Sequence, residues 1–288
     1  GIGQVRVFLN GKEIATKSDV GYFSLDLTAY KTFFLPETML PEDHKTNVLE
    51  VTATNQAGTL TSPPAELELG IPADLAVPDV HIHALFAGTS DYVGSTGDLS
   101  APSNDAIVLG RTFGVLAENL LPGKVDITTL ATTESDPTKR PTRANIMAWF
   151  ERMKSAAGAG DIVLIFFSGH GTSQIGDRSG YFYLTADANP AEMGPLTAST
   201  ATISGDDLRM ALAAIPAKKQ VVILDTCHSG AVQQSLFESR TLPSDYQRAY
   251  ESIRESTGTW VLAGSAADQL SYEAANVEHG MLTYSLLE

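Results

Sequence analysis

Two uninterrupted apolar runs, Ile162-Val163-Leu164-Ile165-Phe166-Phe167 and Val221-Val222-Ile223-Leu224, constrain this chain more than any other feature. Strands that are apolar at every position are covered on both faces, the condition of a parallel sheet held between helices. The surrounding pattern agrees. From Val80 onward, strand-like segments at 81–87, 125–130 and 259–263 alternate with helical patterns at 104–119, 142–156 and 204–213. Thr142 is the expected cap of the second helix, which puts Ile146, Trp149, Phe150 and Met153 on one face. In the first helix Ile107, Leu109, Phe113, Leu116 and Leu120 fall at roughly helical spacing. This alternation predicts an α/β fold with a mostly parallel sheet flanked by helices.

Residues 1–70 follow a different grammar. Val5, Val7 and Leu9 alternate with polar positions and run into Asn10-Gly11, a pair suited to a two-residue hairpin turn. Segments 22–27, 47–54 and 65–69 read as further short strands, which predicts a small all-β sandwich. Residues 71–79, bounded by prolines, read as the linker to an α/β unit at 80–288.

Charge and cysteine content narrow the function. Nineteen basic against 34 acidic residues give a net charge of −15, which disfavours nucleic acid and anionic membranes as partners. The apolar runs are too short to span a bilayer, and the expectation is a cytoplasmic protein. A single cysteine, Cys227, excludes an internal disulfide framework and a cysteine-rich zinc site. The opening at Gly1 and the helical reading of the last residues lead us to expect a piece of a longer polypeptide, with regulatory domains in the missing flanks.

In doubly wound sheets, active sites collect beyond the carboxyl ends of the strands. The first apolar run leads into Ser168-Gly169-His170-Gly171 and the second into Asp225-Thr226-Cys227-His228-Ser229-Gly230. The only cysteine and a glycine-flanked histidine thus leave one edge of the sheet, with a single short helix in the connection. A lone cysteine is usually a small buried hydrophobe, and a lone histidine is usually structural. Their coincidence at this edge favours a Cys/His dyad, because a thiol becomes a nucleophile when a base takes its proton. Asp225 precedes Cys227 by two residues and falls on its side of a continuing strand. A carboxylate there would hinder ionisation of the thiol, so it makes sense facing a substrate cation.

These two motifs resemble those of caspase-like cysteine peptidases, and the Asp-x-Cys-His-Ser-Gly form is similar to the metacaspase and bacterial orthocaspase branch. The resemblance covers about residues 80–288, including Asn104-Asp105-Ala106 and Gly280-Met281-Leu282-Thr283, and it leads us to expect that the family's last strand lies beyond residue 288. Residues 1–70 lie outside it and are similar only in pattern to immunoglobulin-like modules. The resemblance implies an endopeptidase with Cys227 as nucleophile and His170 as general acid/base. It also implies backbone N–H groups of Gly171 and Cys227 around the oxyanion, and Asp225 with Asp105 as the pocket for arginine or lysine before the cut. The partner implied is a protein or peptide substrate carrying a basic residue. Asp105 could instead cap its helix, and Asp225 could simply tie down the turn.

Many metacaspases need calcium, and Asp206-Asp207 matches the family's acidic pair. Downstream, where calcium-dependent members carry another aspartate, this chain has Gln233-Gln234, so no cofactor is required by the reading. Asp206 and Asp207 otherwise suit the first turn of a helix. His81 and His83 share a strand face, with a packed structural role expected. The loop from Gln233 to Gly258 corresponds to one that relatives often cut themselves, with Arg240 the first candidate; Lys218-Lys219, which precedes a strand upstream of the loop, is the second. The rival expectations are a catalytically silent caspase-like scaffold and a peptidase with a non-basic preference.

Overall fold

The structure is a computed structural model and describes residues 1–18, 22–37, 40, 45–72, 79–95, 97–175, 178–194, 200–228, 244–263 and 279–287. The alternating segments near the amino terminus form one antiparallel sheet in the order β2-β1-β3-β4, from β1 (Ile2–Leu9), β2 (Lys12–Ser18), β3 (Asn47–Asn55) and β4 (Ala65–Leu69). Asn10 and Gly11 turn β1 into β2 with φ of 54° and 77°, the left-handed pair this hairpin requires. Residues 22–27, read as a strand, instead lead into a 3-10 turn at Leu27–Phe33 whose start is capped by Asp26. Phe33 and Phe34 bring that segment onto Leu9, so among the described residues a loop and a turn cover the sheet where a sandwich has a second sheet.

The second sheet has the order β11-β10-β7-β5-β6, with β8 pairing β7 and β9 pairing β8. Its core strands are β5 (Ile82–Gly88), β6 (Val125–Ala131), β7 (Ile162–Ile175), β10 (Lys219–His228) and β11 (Trp260–Ala263), all parallel. Antiparallel β8 (Arg178–Leu184) and β9 (Thr202–Ser204) extend the far end of β7. Helices α1 (Pro102–Leu120) and α5 (Met281–Leu287) cover one face, where Ala106, Leu109 and Leu282 meet Phe86, Phe166 and Ile223. On the other face α2 (Arg143–Ala156), α3 (Gly205–Ala214) and α4 (Ser244–Thr257) bury Phe150, Leu208 and Ile253 against Ile165 and Val222. Thr142 caps α2, and Ile146, Trp149, Phe150 and Met153 are all buried as its spacing predicts.

The buried stripe of α1 is displaced from the expected one. Ala106, Leu109, Gly110 and Ala117 face the sheet, while Leu116 and Leu120 are exposed. A Cβ on Gly110 would stand 2.9 Å from Thr129 Oγ1 and 3.2 Å from the Phe86 ring. The helix lies close to the sheet at Gly110, so small residues (Ala106, Gly110 and Ala117) share its contact face with Leu109, and Leu116 and Leu120 turn away from it.

The amino-terminal sheet touches the helices and loops around the second sheet. Lys12, the first residue of β2, is 1% exposed and reaches Leu212 O at 2.6 Å and Ala217 O at 3.5 Å, the carbonyls at and just beyond the carboxyl end of α3. Leu35 and Leu40 pack on Ala159, which precedes β7. His81 and His83 sit at the amino-terminal end of β5, where buried His83 lies 3.6 Å from Asp126 and 3.4 Å from Asp161. Among the described residues, no three or more His, Cys, Asp or Glu side chains cluster as a metal site would require, and no helix is long and apolar enough to cross a membrane.

Candidate active site

β7 and β10 run side by side in parallel, and their register pairs Cys227 with His170, His228 with Gly171 and Asp225 with Ser168. The motif around His170 is not a turn leaving the sheet, as the glycines suggest, but a continuation of β7. β7 goes on to pair with β8, Gly171 opposite Tyr183. Gly169 lies within the strand at φ 144°, and a Cβ there would meet Tyr92 Oη at 2.9 Å and Thr89 O at 3.1 Å. Glycine is what lets the chain at residues 89–92 pass directly over the strand.

That neighbouring chain holds the histidine. His170 is 3% exposed; its backbone N–H donates to Tyr92 Oη at 2.9 Å, and its ring lies against the Tyr92 ring with centroids 5.0 Å apart. Its Nε2 is 2.6 Å from the carbonyl of Gly97. A carbonyl only accepts, so the proton sits on Nε2 and the lone pair of the neutral ring sits on Nδ1. Nε2–H keeps this bond whether or not Nδ1 is protonated, so the ring can exchange a proton without losing its anchor. Gly97 and Tyr92 were invisible in the sequence, the first because it contributes a backbone carbonyl. The available signal was the cluster of turn residues Gly94, Ser95 and Gly97, all at positive φ.

The two aspartates meet from different elements. Asp105 is not the helix cap: α1 begins at Pro102 with Ala101 at the cap position, and the Asp105 side chain is 1% exposed. Its Oδ1 is 2.8 Å from His279 Nδ1, and its Oδ2 accepts from Gly280 N at 3.1 Å and Ser168 Oγ at 3.5 Å. Asp225, also buried, accepts at Oδ2 from Thr283 N at 3.2 Å and Thr283 Oγ1 at 2.8 Å. A Cβ on Gly280 would stand 2.6 Å from Asp225 Oδ2 and 3.3 Å from Asp105 Oδ2, so both carboxylates converge on that glycine. Burial pushes the carboxyl of Asp105 above its ordinary range, and the charge of Asp225 adds to this against the donors from His279 and Gly280. Burial likewise raises Asp225, against the two bonds from Thr283. A cation entering here would meet two acidic groups that are poorly hydrated and lack a basic side chain other than His279 among their described partners.

Asp206 and Asp207 have other occupations. Asp207 forms a capping box with Ser204, accepting from its backbone N and hydroxyl while Ser204 Oγ accepts from Asp207 N. Its two oxygens also take Arg143 Nη1 and Nη2, each at 2.9 Å, and Nη1 reaches Thr202 O as well. The Arg143 backbone N–H donates to Asp187 at 2.8 Å. Asp206 is exposed beside Arg209. Burial raises Asp207, but Arg143 and Ser204 outweigh it and hold the carboxyl below its usual range. With a guanidinium already on Asp207, the pair does not fit a calcium ion, which needs six to eight oxygen ligands.

Of the proposed cleavage positions, Lys219 is the first residue of β10, in register with Ile162, and Arg240 lies outside the described residues, as do Gln233 and Gln234.

A family model described as a caspase domain matches residues 81–288. Metacaspase-7 of Arabidopsis thaliana is 28% identical over 204 residues, covering 69% of this chain and 44% of the relative. Metacaspase-2 of the same plant is 28% identical over 189 residues, covering 64% and 43%. The chain therefore spans less than half the length of these relatives. A Geobacter sulfurreducens protein of solved structure aligns over 72% of this chain and 80% of its own, with 23% identity and a TM-score of 0.47. On the extent of the match to the family model, the chain belongs to the caspase-domain family.

Proposed function

We propose that this chain is a cysteine endopeptidase that cuts peptide bonds after arginine or lysine. Cys227 is the nucleophile, His170 Nδ1 the general acid/base, and the backbone N–H groups of Gly171 and Cys227 the oxyanion donors. The thiol proton passes to Nδ1, and the thiolate forms a bond to the scissile carbonyl carbon. The imidazolium returns that proton to the departing amine as the C–N bond breaks. A water molecule, deprotonated by the same nitrogen, then releases the acyl group. Gly97 holds Nε2–H throughout and keeps Nδ1 as the working atom.

The observation that carries this reading is the register of β7 and β10, which sets Cys227 opposite His170 two residues beyond the Asp225–Ser168 pair. Neighbouring strands lie about 4.8 Å apart, so the two backbone positions are immediate neighbours, as a Cys/His dyad needs. The basic preference is supported by the convergence of buried Asp105 and Asp225 one step along the same edge. Self-processing at Arg240 follows from the same preference.

Fluorogenic peptides ending in arginine, lysine or aspartate test the reading, with the wild type compared to Cys227→Ala. Cleavage after arginine or lysine that falls by at least about a thousandfold in the variant is expected for loss of a covalent nucleophile. Cleavage only after aspartate would overturn the preference. No reaction of Cys227 with a peptide-like electrophile would overturn the peptidase.

A further inference from the structure

His279 is the one described basic side chain on the acidic pair, and it comes from a stretch of chain 174 residues away from Asp105. It does not belong to either motif that suggests catalysis. The carboxyl oxygens of Asp105 are divided between it and its neighbour: Oδ1 faces His279 Nδ1, and Oδ2 faces Gly280 N and Ser168 Oγ. The described partners of Asp225 all converge instead on one oxygen, Oδ2. The two acids are therefore not equivalent. Asp105 is held on both oxygens by the 279–280 segment and β7, whereas Asp225 is held on one side by the first turn of α5.

We propose that His279 is a positioning residue for the specificity pocket: by donating from Nδ1 it keeps Asp105 ionised and aimed at the substrate cation. This rests on the basic preference proposed above and assigns the residue that makes Asp105 part of it. A carboxylate this deeply buried next to a second one tends to take up a proton, since burial and like charge both disfavour the anion. Every donor on it counters that tendency. Around this site the titratable groups are Asp105 on α1, Asp225 on β10 and His279 itself, and the remaining donors, Ser168, Gly280 N and Thr283, are neutral. Removing the imidazole leaves Asp105 with a backbone N–H and a long serine contact, so it is neutral over more of the working pH range. The pocket then presents one charge where the native chain presents two.

The experiment compares His279→Ala and His279→Asn with the wild type, on arginyl peptides and by calorimetry with agmatine, a free guanidinium probe. Asparagine carries an amide N–H that can take the place of Nδ1–H. For His279→Ala we expect KM and the agmatine Kd to rise about tenfold, the factor that losing one hydrogen bond to a charged group implies, with kcat little changed. The acidic limb of kcat/KM should move to higher pH in that variant. His279→Asn should return KM to within about threefold of the wild type, because the hydrogen bond rather than the ring does the positioning. Alkylation of Cys227 by iodoacetamide reports folding without using the pocket, and should proceed at the native rate in both. Unchanged KM, Kd and pH limb in a His279→Ala protein that alkylates normally would overturn the role of His279, as would a fall in kcat alone. Failure of the wild type itself to bind agmatine or cut after a basic residue would overturn the basic preference and this inference with it.

Discussion

At the scale of single residues, Asp225 and Asp105 hold their buried carboxyls at a cost to stability. Burial raises both carboxyls, so folding favours their protonated forms. A group whose folded value is raised supports the fold fully below its unfolded value and withdraws that support as pH climbs through the folded one. Asp225→Asn should therefore melt higher than the wild type at pH 7.5, with the gap closing towards pH 4, while cleavage after arginine is lost. Each kcal/mol recovered would appear as about 2–4 °C in a chain of this size. A variant that melts lower at pH 7.5 would show that Thr283 needs the carboxylate. Cys227, His170 and Asp225 could be singled out from the sequence because their side-chain types suit the proposed chemistry, and Asp105 through the family resemblance. Gly97 and His279 could not. Gly97 acts through a carbonyl that every residue has, and His279 acquires its meaning only when α1 and the start of α5 come together.

At the scale of elements, the central strands and α2 were legible because apolar runs and helical spacing record burial directly. The far ends of β7 and β10 were not. Glycines in Ser168-Gly169-His170-Gly171 signal a turn, yet main-chain pairing to β8 and β10 continues through them, since a ladder needs no side chains. The acidic pair of α3 was read from local sequence as either a helix start or a calcium site, and Arg143 from α2 decides between them. Adding or chelating calcium should leave activity unchanged, and terbium luminescence should show no site in the wild type. Arg143→Ala should cost about 1 kcal/mol, the value of a partly exposed bidentate pair, in a urea titration at neutral pH. Because Asp207 is held below its usual range, that loss should shrink as pH falls through the folded value of its carboxyl. Terbium bound tightly by the native chain would contradict the assignment.

At the scale of the whole molecule, the amino-terminal sheet is joined to the α/β unit by Lys12, whose burial pushes its amine down to about 7. Unfolded, this lysine keeps its proton to about pH 10.4, so between pH 7 and 10 the unfolded chain holds the extra proton and stability rises with pH. Lys12→Met should flatten that rise without leaving Leu212 O unpartnered, since Gln220 Nε2 also donates to it. A slope that survives the substitution would place its origin elsewhere. Nothing in residues 1–18 distinguishes Lys12 from a solvated surface lysine, because its partners are carbonyls about 200 residues further on.

The same long-range wiring bears on what a cut would do. Beyond residue 240 the chain supplies β11 to the edge of β10, Ile253 to the main core, and the contacts of His279, Gly280 and Thr283 to the two acids. A break at Arg240 would sever the polypeptide without removing any of these. Denaturing mass spectrometry should then find two fragments where native gel filtration finds one particle, and only the intact pairing should keep a working pocket. Separate elution of the smaller fragment would show that the peptide bond itself is needed to keep it in place. If the fragments stay together, covalent continuity and structural continuity are separate properties of this molecule, and its own chemistry can give up the first while keeping the second.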